Sequence, residues 1–398
     1  MAEQMRVGIV GGGRGWMFAG LYTEFAESRV TAIAERMPER LQQVGATCPE
    51  ARLFSDYRQM LAEAEIDAVV VASDPPSHAE HVVLALEAGK HELSEVPMSF
   101  TAEGHLRVLE AAEQSDRVFM LAENACYWGV AREWKKLYRA GELGEISYGE
   151  AEYLSDMGRS HFDGPDGKRY GHGEPHPPGV VRNWRAQCHP ILYLTHSLGP
   201  LLWVLGDRCV GVSCQATPAN RDPECGSPDI ESALFRTAEG RALRVVCGFN
   251  VTYPTGHRVA LFGSQATVVW GRSGADESRM RRAGEDERTW TPQSWSMEWI
   301  DGPEEARAYR HGSAGWHTAR NFLDAVLAEE QPELNVHRGM DISFPGVCAA
   351  ISAERGGEFI TIPDTREPDE VEAWRQHEYA EPWPFGSDWR ADGALDME

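Results

Sequence analysis

Apolar positions in the first third of the chain follow two periods in turn. Short, largely apolar runs at Val7–Val10, Arg29–Ala34, Ile66–Ala72 and Val118–Leu121 have the length and composition of strands buried on both faces of a parallel sheet. His91–Glu95 fills a further strand position. Helical spacing separates these runs: a helix-like segment from Trp16, a short helix at Asp56–Leu61, a helix in which Ala79, Val82, Val83 and Leu86 recur before Gly89, and one over Ala102–Ser115. This alternation predicts an α/β domain on a parallel sheet, with Ile66–Ala72 as its third strand. Beyond Asn124 the pattern changes. A long amphipathic segment, Cys126–Arg139, ends at Gly141. Tyr148–Leu154, Gly211–Gln215, Ser232–Thr237, Leu243–Asn250, Arg258–Phe262 and Thr267–Trp270 then mostly alternate as strands with one buried face do, which predicts an open, mainly antiparallel sheet. Helices are expected up to Leu205 and over Gly315–Glu329. Ser155–Gly179, rich in Gly, Pro and His, reads as a long surface or binding loop, Tyr253 to Arg258 as a turn between strands, and Glu367–Glu398 as an acidic tail draped on the surface or loose. The predicted fold is α/β, with a first domain over residues 1–124 and a second, α+β domain over 125–398.

The loop after the first strand carries chemistry. Gly11, Gly12 and Gly13, followed by Arg14 and Gly15, form a glycine turn between strand and helix, where backbone N–H groups at the positive helix end hold a pyrophosphate. The third glycine of G-x-G-x-x-G would fall at Trp16, so the turn is one residue short or differently closed. The strand Arg29–Ala34 ends at Glu35, about 20 residues after the turn, where a carboxylate accepts hydrogen bonds from the adenosine ribose. Arg36 follows and suits a 2′-phosphate instead, so NAD is expected and NADP is the alternative. Ligands of open α/β sheets sit beyond the carboxyl ends of strands, which turns the loop from Ser73 through Pro75 to His78 toward the nicotinamide half. His78 and His81 stand one turn apart and read as a helix start rather than a metal pair. The succession of strand, glycine turn, helix, strand and acid predicts a dinucleotide-binding Rossmann domain.

Composition narrows the partners. A length of 398 residues with 42% hydrophobic content supports two domains, and a formal net charge of −24 argues against nucleic acid or an anionic membrane. Eight cysteines show no metal-ligand spacing, Cys209, Cys214 and Cys225 coming nearest to a cluster; free thiols in a reducing compartment are expected and no metal is assigned. Neither a signal-peptide pattern nor an apolar span of bilayer length is present, from which a cytoplasmic location is expected.

The order GGGRG, Glu35, DAVVVASDPPSHAEHVVLALEAGKH, SEVPMS and FMLAEN resembles the Gfo/Idh/MocA family, the glucose–fructose oxidoreductase and inositol dehydrogenase group, over nearly the whole chain. The resemblance implies a nicotinamide dinucleotide contacted by Glu95, Val96 and Asn124 as well as by the glycine turn, a carbohydrate substrate, and assembly into a homodimer or homotetramer. Family dehydrogenases usually carry Glu-Lys-Pro at the fourth strand, the lysine reaching the substrate hydroxyl that loses its proton. Here the triplet is Glu95-Val96-Pro97, and valine neither accepts nor relays a proton. Within the family, the NAD-dependent α-N-acetylgalactosaminidases and neighbouring oxidoreductive glycosidases have a similar Glu-Val-Pro, a Glu-Asn followed by tyrosine, a Trp-Arg and a Tyr-Pro-Thr-His-x-Leu-Gly-Pro. The matching positions are Glu95 to Pro97, Glu123-Asn124 with Tyr127, Trp184-Arg185, and Tyr193 to Pro200, with Leu194 in place of the proline and Trp-Arg a few residues nearer Tyr193. That likeness implies hydrolysis by transient oxidation at sugar carbon three, loss of the carbon-two proton and the anomeric group, addition of water and re-reduction. In this reading His196 takes the carbon-three hydroxyl proton, Tyr127 and Tyr193 serve the carbon-two proton and the leaving group, and Trp184, Arg185, Thr195, Tyr253 and His311 contact substrate. A plain NAD(P)-dependent sugar or cyclitol dehydrogenase is the first alternative, and a non-catalytic dinucleotide- or sugar-binding regulator the second.

Overall fold

A computed structural model of the chain describes residues 4–383 apart from 172, 224, 225, 254, 272–277, 287, 288, 300–302, 305 and 307–311. Among these residues two large sheets organise the molecule. The first consists of β1 (Met5–Val10), β2 (Ser28–Ala34), β3 (Arg52–Phe54), β4 (Ala68–Val71), β5 (His91–Ser94) and β6 (Phe119–Leu121), all parallel, in the order β3-β2-β1-β4-β5-β6. Val7, Ile9, Val69 and Val70 are fully buried, which is why the central strands read as unbroken apolar runs. Between the strands lie α1 (Gly12–Glu24), α2 (Pro38–Gly45), α3 (Tyr57–Glu63), α4 (His78–Glu87) and α5 (Ala102–Glu113). Asp56 and Thr101 start α3 and α5, their side-chain oxygens accepting hydrogen bonds from the N–H groups of Gln59 and Gly104. Strand order reverses between β1 and β4, and a crevice opens beyond their carboxyl ends, where doubly wound sheets take ligands.

Two expectations change in this domain. Ile66–Ala72 supplies the fourth strand, not the third, because β3 is a three-residue edge strand too short to show a period of its own. The first helix begins at Gly12, not Trp16, so Gly12 to Gly15 form its first turn.

Past β6 a single 3-10 turn, Asn124–Tyr127, precedes α6 (Gly129–Arg139), so the predicted amphipathic segment is two pieces. β7 (Ile146–Leu154) opens the second sheet. The Gly, Pro and His rich stretch after it is not a surface loop throughout. It contributes β8 (Phe162–Asp163) and β9 (Arg169–Tyr170), which join β10 (Val181–Arg182) in a small antiparallel sheet with His161 and Asp163 buried. Then come α7 (Trp184–Gln187), α8 (Thr195–Leu205), β11 (Cys209–Ala216), β12 (Ile230–Thr237), β13 (Ala242–Gly248), β14 (Gly256–Gly263), β15 (Ala266–Trp270), β16 (Ser278–Arg282) and β17 (Thr291–Gln293). His257, expected in a turn, is a ladder residue of β14 opposite Tyr153, and Arg258, where the expected strand starts, lies opposite Glu152. With β18 (Ile360–Thr361) the sheet runs β17-β16-β15-β14-β7-β13-β12-β11-β18, antiparallel except for the β13–β7 pair.

The last helices tie the two sheets together. α9 (Gly312–Ala328) lies on α1: the Tyr22 hydroxyl donates to the Ala319 carbonyl at 3.2 Å, Phe25 meets Trp316 edge-on, and Arg320 pairs with Glu27. α10 (Val336–Glu354) is buried on nearly every side. The acidic tail is partly a packed element: α11 (Pro368–Arg375) buries Trp374, Trp383 packs on Phe100, and the Glu381 carboxylate accepts hydrogen bonds from the N–H groups of Ala102 and Glu103 at the start of α5. Residues 384–398 lie outside the described residues. Among the described residues no helix is long and apolar enough to cross a membrane.

Candidate active site

A cavity of about 880 Å³ lies beyond the ends of β1, β2, β4 and β5 and is walled on its other side by residues of the second sheet and its connections. Gly11 stands at its base with φ +95°, and a Cβ there would collide with the Ala72 carbonyl, so only glycine lets β1 turn into α1 beside β4. A Cβ on Gly13 would meet nothing within 4 Å and would enter the cavity. Gly15 faces Ile9, whose Cγ2 would lie 2.7 Å from a Cβ; close packing of helix on strand, the task of the usual third glycine, therefore falls to Gly15, and Trp16 is left 46% exposed at the cavity edge. Glu35 accepts from the N–H of Gly12 at 2.7 Å and of Met37 at 2.9 Å, which braces the end of β2 against α1. The first-turn N–H groups beyond Gly12 have no partner within the helix and are available to an anion. An open glycine, a helix start and an acid on the next strand fit a dinucleotide with its diphosphate at α1 and its adenosine ribose toward Glu35.

Polar contacts fix the other half of the groove. Arg14 reaches from α1 to Glu95 at 2.7 Å, joining the glycine turn to the end of β5. Burial would raise the Glu95 carboxyl, but Arg14 beside it, helped by His196, holds it below the usual carboxylate range. The His78 ring lies between the carbonyls of Pro97 at 2.8 Å and Ser73 at 3.0 Å, and Ser73 Oγ is 2.9 Å from His81 Nδ1, so this histidine pair pins the loop through Pro75.

His196, in the first turn of α8, stands on the opposite wall. Its Nδ1 is 2.8 Å from Glu123 Oε1, which also accepts from the Ala125 N–H at 2.8 Å. A carboxylate only accepts, so Nδ1 carries the proton and the Nε2 lone pair is left for the cavity. Burial lowers the imidazole pKa, but Glu123, with Glu95 behind it, outweighs burial and raises it above 6.5. The rings of Tyr193 and Tyr153 meet His196 edge-on at 5.5 and 5.9 Å. Burial pushes the Tyr153 phenol up to about 12, and burial with Glu95 pushes Tyr193 further. Trp184 stacks on Tyr193 at 5.6 Å and carries the Arg185 guanidinium 4.2 Å over its ring. Behind Tyr153, His257 stacks at 4.3 Å; burial and the nearby His196 push it down to about 3, so it is neutral. Val96, 1% exposed, lines the floor between the two walls.

Most of the residues singled out in the sequence thus meet in one cavity, including Arg36 and Asn124. Four do not. Tyr127 is 3% exposed and outside the lining, its ring 6.4 Å from Trp203 and its hydroxyl without a hydrogen-bond partner among the described residues. Thr195 is fully buried beneath the start of α8, and Tyr253 lies in the connection before β14, away from the lining. His311 lies outside the described residues. The sequence reading did not assign Glu123, Tyr153, His257 or Arg169 to the site. Glu123 follows a strand of the parallel sheet, a position that alone marks it as facing the crevice; Tyr153 and His257 oppose each other in a ladder that no local pattern reveals.

A parallel sheet with a dinucleotide groove, faced by His196, Tyr193 and Tyr153 of the second domain, fits an enzyme of the nicotinamide-dependent oxidoreductase class. The chain belongs to the Gfo/Idh/MocA family: residues 5–123 match the oxidoreductase family with NAD-binding Rossmann fold, and residues 131–269 match the GFO/IDH/MocA C-terminal domain. Its cofactor is NAD. It is similar to a glycosyl hydrolase family 109 protein of Phocaeicola vulgatus, 27% identical over 63% of this chain and 66% of that one, and to one of Shewanella amazonensis, 30% identical over 62% and 58%. The match therefore spans less than two thirds of the length of these curated relatives. Among solved structures, levoglucosan dehydrogenase in complex with NADH superposes with a TM-score of 0.72 at 19% identity, covering 91% of this chain and 100% of that one, which reflects a shared fold.

Proposed function

We propose that the protein is an NAD-dependent glycoside hydrolase that cleaves a glycosidic bond through transient oxidation of the sugar. The observation that carries this reading is the site's proton inventory: apolar Val96 stands where family dehydrogenases usually place a lysine, and the cleft carries instead the Glu123–His196 pair flanked by Tyr193 and Tyr153. The relatives named glycosyl hydrolase family 109 support it. Bound NAD supplies the site with a reversible hydride acceptor. His196 Nε2 takes the proton of the carbon-three hydroxyl, and Glu123 fixes the tautomer that leaves Nε2 free and stabilises the imidazolium formed. The neutral Tyr193 phenol donates to the departing anomeric oxygen. Tyr153, on the same wall and less strongly shifted, takes the carbon-two role for which Tyr127 is too remote from the cavity: it accepts that proton as the phenolate, a minor form near neutral pH because burial raises its pKa, after its own proton has passed to solvent. The stacked Trp184 and Arg185 present an aromatic and cationic edge to the sugar. Two carboxylates flanking the bond, as in ordinary glycosidases, are not required.

A second reading, an NAD-dependent sugar or cyclitol dehydrogenase, is favoured by one feature: the Glu123–His196 pair is by itself a sufficient base for alcohol oxidation. A panel of chromogenic glycosides assayed with and without added NAD separates the two. Phenol release dependent on NAD supports the hydrolase; formation of reduced cofactor from free sugars, with no phenol release from any glycoside, rejects it. We also infer a cytoplasmic, homo-oligomeric enzyme. Among the described residues seven buried cysteines are free thiols, which suits a reducing compartment, and Leu234 and Phe359 stay exposed on the second sheet and beside it, which suits a subunit contact.

A further inference from the structure

The hairpin of β8 and β9 brings residues of the second domain onto the dinucleotide groove. Gly167, in the turn, and Arg169, on β9, both line the cavity, and a Cβ on Gly167 would lie 3.9 Å from Cε of Met37, two residues after Glu35. Arg169 Nε stands 3.4 Å from Asp163 Oδ1, and the same oxygen is 3.3 Å from Asn183 Nδ2, so the small sheet holds the guanidinium in place. Arg169 is also within electrostatic reach of Arg40 on α2, which follows β2, and of Asp74, which follows β4. The sheet order β2-β1-β4 sets the glycine turn between the elements that carry those two residues, and Arg169 lines the same cavity as Gly11 and Gly13 of that turn. Arg14, Arg36 and Arg40 line the cavity with it, and burial, followed by Arg185, holds the Arg169 guanidinium below its ordinary value, a destabilisation that an added anion relieves.

We propose that Arg169 is a ligand of the dinucleotide diphosphate, supplied across the groove by the second domain, and that it slows release of the cofactor. A guanidinium presents planar, paired donors suited to phosphate oxygens, and one carried by a separate domain turns an open groove into a clasp. The proposal rests on the dinucleotide groove alone and is the same for a hydrolase and for a dehydrogenase.

The test uses the full chain stripped of nucleotide and its Arg169→Gln variant, in which an amide can still bond to Asp163. Calorimetric titration with NAD, ADP and adenosine is combined with stopped-flow measurement of NADH release. We expect the variant to bind NAD and ADP about 10- to 100-fold more weakly, the range of one charge-assisted contact, with release of NADH faster in the same proportion and adenosine affinity unchanged. Arg169→Lys, which keeps the charge without the fork, should fall between the two. Unchanged affinity for NAD and ADP with unchanged release would overturn the proposal. An equal loss for adenosine would overturn it as well, because Arg169 would then be shaping the hairpin and not holding phosphate.

Discussion

In the proposed mechanism His196 is the base, and Glu123 fixes its tautomer and, with Glu95, lifts its pKa against the effect of burial. The neutral imidazole is the active form, so kcat/KM should rise with pH through a midpoint above 6.5. Glu123→Gln removes the charge that raises the pKa and offers an amide N–H to Nδ1. The remaining effect of burial should move that midpoint to lower pH, and the rate should fall because the proton shifts to Nε2. His196→Ala should cost about 10²- to 10⁴-fold in kcat, the span of a general base, with NAD affinity retained. A pH profile indistinguishable from the parent in Glu123→Gln would remove Glu123 from this role. Glu92 makes a different prediction. It is fully buried in β5 with neither carboxylate oxygen hydrogen-bonded among the described residues, and burial raises its pKa well above 4.5. A raised folded-state pKa means that its contribution is retained below the unfolded value of about 4.5 and is lost as pH rises toward the folded value. Glu92→Met should therefore stabilise the protein by roughly 1–3 kcal/mol near neutral pH and by less at pH 5, read as a difference in Tm between the two conditions. Val96, Trp184, Tyr193 and His196, which line the cavity, were legible because each stands in a local motif; the place of Glu123 after a parallel strand was legible too, but its pairing with a histidine 73 positions away was not.

Among the elements, legibility followed exposure. β1, β2 and β4 sit inside the first sheet and announce themselves as largely apolar runs, and β12 alternates because one of its faces is open. α10 gave no such signal. Gly339, Pro345 and Gly346 interrupt its sequence, and burial on nearly every side erases the amphipathic period. β8 and β9, at two residues each, are defined by their ladders and not by composition. The β1–α1 turn allows the clearest test at this scale, because its glycines do different work. Gly11→Ala sets a Cβ against the Ala72 carbonyl at φ +95° and should destabilise the cofactor-free protein by about 1–3 kcal/mol or more. Gly13→Leu meets no protein atom near its Cβ and replaces a helical glycine, so the cofactor-free Tm should hold or rise slightly. Its side chain enters the space read as the diphosphate site, so NAD affinity should fall at least about 10-fold, the loss of a single charge-assisted contact. Thermal melts without cofactor and calorimetric titration with NAD measure the two effects separately. Undiminished NAD binding by Gly13→Leu would mean that the diphosphate lies elsewhere.

At the scale of the whole molecule the chain returns to its first domain to hold the two halves in register: α9 lies on α1, Trp383 on Phe100, and Glu381 at the start of α5. The wall of His196, Tyr193 and Tyr153 and the dinucleotide groove consequently face one another across a single cavity. Arginines 14, 36, 40, 58, 169 and 185 line that cavity beside Glu35, Asp56, Asp74, Glu80 and Glu95, so in a chain of formal net charge −24 the cavity is locally close to balanced and offers an anionic cofactor guanidinium partners. Such a site favours keeping its dinucleotide and reusing it, which is what oxidation followed by re-reduction of the same sugar demands. If the proposed hydrolysis is right, cleavage should proceed with NAD in catalytic amount and without accumulation of reduced cofactor. The carbon-two proton, removed and returned by a side chain in contact with water, should exchange with solvent. Reaction in deuterium oxide should then place deuterium at carbon two of the released sugar, detected by mass spectrometry and proton NMR, whereas direct displacement at the anomeric carbon leaves that position protiated. Tyr153→Phe should slow carbon-two exchange and cleavage together, since both pass through the same proton transfer. Stoichiometric formation of reduced cofactor with the glycosidic bond intact would instead assign the Glu123–His196 pair to a dehydrogenase.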